Sequence, residues 1–284
     1  MNEAAAREWI GRTEVVEDVV TASALAKMSV TLGRDDPPPA AGDPVPPGWH
    51  WMFCHAAAPA AALGPDGHTR RGGFLPPIAQ PRRMWAGGRL VFGPPLRVGQ
   101  PVTRRSTVLD IAEKQGRSGA LVFVTVRHNY AGPDGGAVVE EQDLVFREAP
   151  RPGERAPNTE LAPPARWRRA VHADSVMLFR YSALTFNGHR IHYDQPYATQ
   201  EEGYPGLVVH GPLLATLMID LVRRNAAGRA IQRFAFRGLR PVFDTAPFEI
   251  AGAPAAADGK EISLWIADVH GALAMRASAT LDRA

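Results

Sequence analysis

The chain has 284 residues, of which 45% are hydrophobic and 21% are charged, and this balance excludes a disordered or fibrous protein. The formal net charge is +3 and the basic residues form no dense run, so we expect no nucleic-acid partner. A lone cysteine, Cys54, excludes an internal disulfide and is typical of a reducing compartment. Residues 1–20 lack the apolar core of a signal peptide, and no window is apolar for long enough to span a membrane. We therefore expect a cytoplasmic protein without a membrane partner.

The first half of the chain is predicted to contain a loop, a helix and then a series of strands. Residues 35–47 are rich in proline, which removes amide donors and favours extended backbone, so they predict a surface loop. A helix is expected around residues 49–63, where an alanine-rich stretch follows Trp49. Apolar and β-branched runs predict strands at residues 96–98, 106–111, 120–130 and 138–147.

The second half repeats this order after a linker. Residues 147–164 have the composition of a linker near the midpoint of the chain, so we predict two domains, residues 1–150 and 151–284. Gly211 and Pro212 start a helix whose apolar side chains recur with helical periodicity. Strands are predicted at residues 239–242, 248–251, 261–269 and 272–281. The matching runs predict a duplicated α+β fold, in which an antiparallel sheet curves around one long helix in each half.

The densest group of polar side chains lies shortly before the helix at Gly211. Residues 185–194, which we name the motif loop, read TFNGHRIHYD and include histidine, asparagine, arginine and aspartate. Imidazole, amide and carboxylate groups so close together can transfer protons, so this segment is the candidate catalytic site. A hydrogen-bonded loop that only shapes the start of a helix would use the same residue types, and the sequence leaves both interpretations open.

The motif loop resembles the signature of the MaoC-like R-specific hydratase and dehydratase family. In that family a motif of the form S/T-G-D-x-N-P-x-H precedes a helix that begins with a hydrophobic-His-Gly step. This register places the family's histidine at His192 and the helix start at Val209, His210 and Gly211. The variant in this chain is similar to a subgroup with mitochondrial-type 3-hydroxyacyl-thioester dehydratases and bacterial mesaconyl-CoA and itaconyl-CoA hydratases. Residues 66–77 and 81–88 are similar to the N-terminal half of that subgroup.

The resemblance implies a fold and an activity. The fold is an α+β double hot-dog, and the activity is a hydro-lyase that interconverts enoyl-CoA and hydroxyacyl-CoA. Residues 1–150 are expected to form a non-catalytic hot-dog that provides the cleft for substrate and CoA, and residues 151–284 a hot-dog that carries the catalytic loop. The subgroup favours a short branched dicarboxylyl-CoA, such as mesaconyl-CoA or itaconyl-CoA. No cofactor is expected beyond the CoA of the acyl-CoA substrate, and a homo-oligomer is left open. A 3-hydroxyacyl-thioester dehydratase of fatty-acid synthesis, a hot-dog thioesterase and a non-catalytic acyl-CoA-binding protein are the alternatives.

The resemblance also implies catalytic roles. His192 is expected to transfer protons, and the amide of Gly211 at the helix N-terminus is expected to hold the thioester oxygen. Asn187 occupies the position of the family's catalytic aspartate and cannot act as a base. We therefore expect either that Asp194 supplies the carboxylate or that His192 works alone while Asn187 orients water.

Further residues are expected to bind the substrate. Arg82 and Arg83 are candidates to pair with a distal carboxylate or with the CoA phosphates. The other candidates lie in the motif loop and in the segment that follows it, and they are His189, Arg190, Tyr204 and His210. A metal site built from His189, His192 and Asp194 is a weak alternative. We expect no metal.

Overall fold

The computed structural model describes residues 7–116, 119–148, 160–226 and 228–282. In the first half these residues form five strands and one α-helix, namely β1 (Thr13–Val19), α1 (Ala22–Thr31), β2 (Arg82–Phe92), β3 (Pro101–Gly116), β4 (Gly119–Gly132) and β5 (Gly135–Arg147). In the second half they form five strands and two α-helices, namely β6 (Trp167–Val171), α2 (Ser175–Leu184), α3 (Gly211–Asn225), β7 (Ile231–Gly238), β8 (Phe248–Pro254), β9 (Glu261–Ala267) and β10 (Leu273–Leu281). Short 3-10 or π-helical turns lie at Trp49–Met52, Ala60–Ala62, Arg190–His192 and Tyr197–Glu201.

The strands form one antiparallel sheet in the order β1-β3-β4-β5-β2-β7-β10-β9-β8-β6. Each half contributes five neighbouring strands in the same relative order, which is the repeat that the sequence predicts. The halves join at β2 and β7, where Gly87 lies opposite Arg237 and Val91 opposite Arg233. Glycine is required at Gly87, because a Cβ atom there would lie 2.6 Å from the carbonyl oxygen of Phe236.

The helix α3 fills the concave face of the second half. Pro212 lies in its first turn, where a missing amide costs no intrahelical hydrogen bond. The side chains from Leu213 to Val222 are buried, because the helix packs against all five strands of its own half. The predicted helix after Gly211 is confirmed.

The long helix that the sequence predicts at residues 49–63 is wrong. The described residues of this segment form only the 3-10 turns Trp49–Met52 and Ala60–Ala62. Pro59 precedes the second turn, and Cys54 has a positive φ of 60°, which no helix accommodates. Among its described residues the first half therefore has no helix that corresponds to α3, and residues of its strands line a cavity instead.

Two of the predicted strands are also wrong. Residues 96–98 and 239–242 lie in the connections before β3 and β8, and their ladders are limited to an isolated bridge at Arg97. Pro94, Pro95 and Pro241 explain this, because proline cannot donate to a strand ladder. The expected surface loop at residues 35–47 has no helix or extended strand. The expected domain boundary at residue 150 lies outside the described residues and stays a prediction.

A buried carboxylate links the two halves. Asp220 on α3 is buried, and it contacts three arginines, namely Arg34 of the first half, Arg169 on β6 at 2.9 Å and Arg224 at 2.6 Å. Arg34 also pairs with Asp36 at 2.8 Å, and its hydrogen bonds lower the pKa of Asp36 to about 2. Buried charges in such contacts balance one another, so the removal of one partner is costly.

The hydrophobic core is continuous across the two halves. Leu90 and Tyr130 of the first half belong to the same buried cluster as Leu178 and Phe234 of the second half. In the described part of the chain, no helix is long and apolar enough to cross a membrane. The expected cytoplasmic location and the homo-oligomer stay predictions.

Candidate active site

A cavity of about 1230 Å³ lies between the motif loop and the first half of the sheet. Both halves contribute to its wall. His68 and Arg83 come from the first half, and Asn187, His192 and Gly211 come from the second. More of the wall is apolar than polar, and an apolar cavity with convergent polar side chains is typical of a small-molecule site.

His192 is placed as a neutral base. It ends the 3-10 turn Arg190–His192, is buried and lines the cavity. Its Nδ1 lies 2.7 Å from the carbonyl oxygen of Val208, which can only accept, so Nδ1 carries the proton and Nε2 is the free acceptor. Burial lowers the pKa of His192 to about 4, so the imidazole is uncharged near neutral pH. The expected proton-transfer role fits this geometry.

His210 lies behind His192 rather than in the cavity wall. The two rings stack with their centroids 3.7 Å apart, and Nε2 of His210 is 2.8 Å from the hydroxyl of Ser182. His210 is fully buried, and burial together with its neighbouring histidines holds its pKa well below the ordinary value. The structure does not place His210 where it could bind substrate, so it supports the His192 ring instead.

Gly211 opens α3 at the edge of the cavity. The amides in the first turn of a helix have no intrahelical acceptor, and the helix dipole favours negative charge at this end. Gly211 lines the cavity, so its amide is placed to receive a charged oxygen. This placement fits the expected role in holding the thioester oxygen.

Asn187 and His189 are both in the cavity wall. The side-chain oxygen of Asn187 accepts a hydrogen bond from the amide of His189 at 3.0 Å, which leaves the NH₂ group of Asn187 as a donor. Phe186, directly before Asn187, has a positive φ of 48°, and this turns the chain sharply after α2. Burial, reinforced by the neighbouring imidazoles, lowers the pKa of His189.

Asp194 and Arg190 are paired with each other outside the cavity wall. Oδ2 of Asp194 lies 2.9 Å from Nε of Arg190, and Oδ1 accepts the amide of Tyr197 at 3.1 Å. Arg190 also donates to the carbonyl of Pro65 at 2.9 Å. The catalytic carboxylate expected from Asp194 and the substrate contact expected from Arg190 do not fit this placement, because both side chains are engaged in holding the loop. The metal alternative through Asp194 fails for the same reason.

The first half supplies a carboxylate and an imidazole that the sequence analysis did not assign. Oδ2 of Asp66 lies 3.0 Å from Nδ1 of His68, and the His68 ring lies 4.1 Å from that of His189. The amide of Arg190 donates to the carbonyl of Asp66 at 2.9 Å, which fixes this segment against the motif loop. Gly67 is in close contact there, since a Cβ on it would lie 1.9 Å from the carbonyl oxygen of Gly188.

The pKa values of Asp66 and His68 are both lower than those of exposed side chains. Burial lowers the pKa of His68 to about 4, and the charge of Arg83 adds to the effect. Burial of Asp66 opposes its ionisation, but the hydrogen bonds and charge of His68 outweigh this and lower the pKa of Asp66 below its usual value. Ligand atoms of Asp66, His68 and His189 lie within 4.8 Å of one another, which is close enough to hold a metal ion.

The two expected arginines have different surroundings. Arg82 pairs with Glu202 at 3.0 Å, donates to its carbonyl at 2.7 Å and lies 5.5 Å from the ring centre of Tyr204. Arg83 lines the cavity beside His68, and no described residue forms a hydrogen bond or ion pair with its guanidinium. Burial lowers the pKa of Arg83 to about 10, so it remains charged. Arg83 is therefore a cation of the cavity wall that is free to bind an anionic group of a ligand.

Comparison with known sequences identifies relatives over almost the entire chain. A family model described as hydroxyacyl-thioester dehydratase type 2 matches residues 48–244. The chain is 47% identical over 277 residues to a mesaconyl-C(4)-CoA hydratase of Chloroflexus aurantiacus, with 96% of each chain covered. It is 30% identical over 268 residues to a mitochondrial hydroxyacyl-thioester dehydratase type 2 of Schizosaccharomyces pombe, with 83% of this chain and 88% of the relative covered.

Solved structures share the fold at low sequence identity. A MaoC-like dehydratase superposes with a TM-score of 0.73 and 13% identity, covering 99% of this chain and 100% of that structure. A conserved protein of Mycobacterium tuberculosis that is described as a double hot-dog superposes with a TM-score of 0.60 and 14% identity, covering 96% of each chain. The expected α+β double hot-dog is confirmed.

The fold and the relatives define a double hot-dog hydro-lyase. This class sets aside the thioesterase and the non-catalytic binding protein. The chain belongs to the hydroxyacyl-thioester dehydratase type 2 family.

Proposed function

We propose that the protein reversibly hydrates a short branched enoyl-CoA that carries a second carboxylate, as mesaconyl-CoA does. The observation that carries the proposal is Arg83, a half-buried cation without a hydrogen-bond or ion-pair partner among the described residues, beside the imidazoles of the cavity. The relative with 47% identity is named for a substrate of this class, which supports the same conclusion. Itaconyl-CoA belongs to the same chemical class and is tested alongside.

The position of Arg83 matches the chemistry of such a substrate. In mesaconyl-C(4)-CoA the free carboxylate is attached to the β-carbon, which is the carbon that receives the hydroxyl group. Its binding partner must therefore lie close to the groups that transfer protons, and Arg83 lies close enough to His68 for its charge to lower the pKa of that imidazole. A guanidinium binds a carboxylate through two parallel hydrogen bonds, so it also fixes the orientation of the β-carbon.

The side chains of the cavity can carry out the hydration. Nε2 of His192 takes a proton from water while the water oxygen bonds to the β-carbon, and the electrons of the double bond move to the α-carbon and the thioester oxygen. The amide of Gly211 stabilises the negative charge on that oxygen. Asn187 holds the water through its free NH₂ group. A protonated group of the cavity then gives a proton to the α-carbon, and the proton taken by His192 returns to solvent. This scheme requires no cofactor beyond the CoA of the substrate.

A second candidate is the dehydration of longer 3-hydroxyacyl thioesters in fatty-acid synthesis. The cavity of about 1230 Å³ is larger than a five-carbon acyl group requires. Its wall includes Trp51, Trp85, Phe123 and Leu144, which would contact an alkyl chain. The relative from Schizosaccharomyces pombe is named for dehydratase activity.

The two candidates are separated by substrate preference in the purified enzyme. We expect kcat/KM to be higher for mesaconyl-CoA or itaconyl-CoA than for crotonyl-CoA and octenoyl-CoA. Arg83→Gln removes hydrogen bonds to a charged group, which contribute about 1.5–3 kcal/mol, so kcat/KM for mesaconyl-CoA should fall about 10–100-fold. The loss for crotonyl-CoA, which has no carboxylate, should be several times smaller.

Arg82→Gln is the matched control, because Arg82 is the neighbouring arginine on β2 and already pairs with Glu202. We expect it to change kcat/KM for the two substrates by the same factor. An equal loss for both substrates in Arg83→Gln would contradict carboxylate recognition by Arg83. A preference of the wild-type enzyme for octenoyl-CoA would favour the second candidate.

A further inference from the structure

The motif loop lacks a carboxylate at the position where the wider family has its catalytic aspartate, because Asn187 occupies it. Three acidic residues line the cavity in the described part of the chain, and two of them are paired with arginines. Glu14 contacts Arg104 at 3.1 Å, and Glu202 contacts Arg82 at 3.0 Å. The third, Asp66, has no arginine partner in the described structure and contacts the imidazole of His68.

We propose that Asp66 and His68 complete the catalytic site from the first half of the chain. His68 is a catalytic residue that exchanges the proton at the α-carbon of the substrate, and Asp66 is the positioning residue that fixes its tautomer. This inference rests on the proposed hydration of an enoyl-CoA. It gives the enzyme two proton-transfer groups, one from each half.

The imidazoles of His68 and His192 are held in the same tautomer by a hydrogen bond at Nδ1. Nδ1 of His68 is held by the carboxylate of Asp66 at 3.0 Å, and Nδ1 of His192 is held by a backbone carbonyl at 2.7 Å. In both rings Nε2 is thereby left as the acceptor. The ring of His189 lies 4.1 Å from that of His68 and 5.4 Å from that of His192, so all three imidazoles form one cluster at the cavity.

The reaction can be written with one proton at each imidazole. In the dehydration direction Nε2 of His68 removes the α-proton, and the electron pair of that C–H bond forms the enolate and then the double bond. The β C–O bond breaks, and the hydroxyl leaves as water with a proton that solvent in the cavity first delivers to Nε2 of His192. Hydration reverses each step, and solvent in the cavity returns the proton from one imidazole to the other after each turnover.

The assignment of His68 to the α-carbon follows from charge. The imidazolium that forms when His68 takes the α-proton is stabilised by the carboxylate of Asp66, as in a histidine-aspartate pair of a hydrolase. His192 has only the carbonyl dipole of Val208 at its Nδ1. The carboxylate at 3.0 Å therefore favours His68 as the group that accepts the proton on carbon, which is the less acidic of the two protons.

The proposal is tested by hydrogen exchange in D₂O with the full-length enzyme and the hydrated product of mesaconyl-CoA. Proton NMR follows loss of the α-proton signal, and absorbance follows dehydration. We expect His68→Gln to lower turnover by ~10²–10⁴-fold and to abolish α-exchange. We expect His192→Gln to lower turnover to a similar extent but to retain α-exchange, because enolate formation does not require loss of the hydroxyl.

Asp66→Asn tests the positioning role. We expect a loss of turnover of ~10-fold or more with little change in KM, and an altered pH profile of kcat, because the charge next to His68 is gone. Asp194→Asn is the matched control, since this carboxylate contacts Arg190 outside the cavity wall, and its pH profile should be that of the wild type. Circular dichroism and calorimetric binding of the product confirm that each variant is folded.

Specific outcomes would overturn the inference. Wild-type turnover and exchange in His68→Gln would exclude His68 as a catalytic residue, and a wild-type pH profile in Asp66→Asn would exclude the pair if His68→Gln fails to fold. A stoichiometric metal in the purified enzyme, with activity lost on chelation, would make Asp66 and His68 ligands instead. If the wild-type enzyme hydrates none of the four thioesters, the proposed function fails before any variant is tested.

Discussion

The contact between Gly67 and Gly188 predicts a large effect for a small substitution. In Gly67→Ala the added methyl group would lie 1.9 Å from the carbonyl oxygen of Gly188, whereas ordinary contacts begin at 3.4 Å. The segment that contains Gly67 and the motif loop must therefore move apart by about 1.5 Å. A displacement of about 1 Å can cost about 10²-fold in rate when it misplaces catalytic groups. We expect kcat of Gly67→Ala to fall by at least ~10²-fold.

Gly42→Ala is the control that distinguishes the steric effect of Gly67→Ala from backbone strain. Gly67 has a φ of 87° and Gly42 a φ of 85°, but a Cβ on Gly42 would meet no atom within 4 Å. Alanine in this conformation costs about 1–2 kcal/mol in either position. We therefore expect both variants to lose a few degrees of Tm, at about 2–4 °C per kcal/mol for a chain of this size. Only Gly67→Ala should also lose activity.

The assay combines hydration of mesaconyl-CoA with thermal unfolding of the same preparations. If Gly67→Ala keeps more than about a third of wild-type kcat while its Tm matches that of Gly42→Ala, then the close approach of the two segments does not position the catalytic groups. A loss of activity in Gly42→Ala as large as that in Gly67→Ala would show that strain alone accounts for the effect.

Two stability predictions concern the buried charges. Asp220→Asn leaves its arginines without their shared carboxylate and should lower the free energy of unfolding by about 3–5 kcal/mol in urea denaturation, whereas a change below about 1 kcal/mol would contradict this. The hydrogen bond from Arg34 lowers the pKa of Asp36 from 3.8 to about 2 in the folded state. The carboxylate of Asp36 therefore stabilises the fold at pH values above its unfolded pKa, and this stabilisation is lost as the pH falls towards the folded pKa. The stability difference between wild type and Asp36→Asn should therefore be smaller at about pH 3 than at about pH 6, and an unchanged difference would refute this source of acid sensitivity.

The motif loop and α3 were predictable because their signals are local. Pro212 and the helical spacing of leucines define α3 from the sequence alone, and the polar residues before it identify His192 and Asn187. The position of Asp194 was not predictable in this way. It lies two residues after His192, but the chain leaves the 3-10 turn there, and the carboxylate is directed to Arg190.

The contribution of the first half to the active site depends on tertiary contacts, which leave no local pattern in the sequence. Along the sequence, Asp66 and His68 are separated from His189 by most of the strands of the first half and by the linker. Only folding brings the rings of His68 and His189 to within 4.1 Å of each other. The one signal was an Asp-Gly-His step in a glycine-rich and proline-rich segment, which also occurs in ordinary turns. The strands β2 and β7 escaped prediction because their pairing depends on contact between the halves, with Gly87 and Gly88 interrupting the alternation in β2.

The short turn at Trp49–Met52 has a consequence for how the chain folds. The described residues of the first half include no helix that corresponds to α3. Part of the first half's core, including Leu90 and Tyr130, is therefore covered together with Leu178 and Phe234 of the second half. Cooperativity in small proteins follows from such shared burial. We therefore expect the halves to unfold as a single unit. A destabilising substitution in one half should then lower the amount of folded enzyme as a whole rather than the activity of one half.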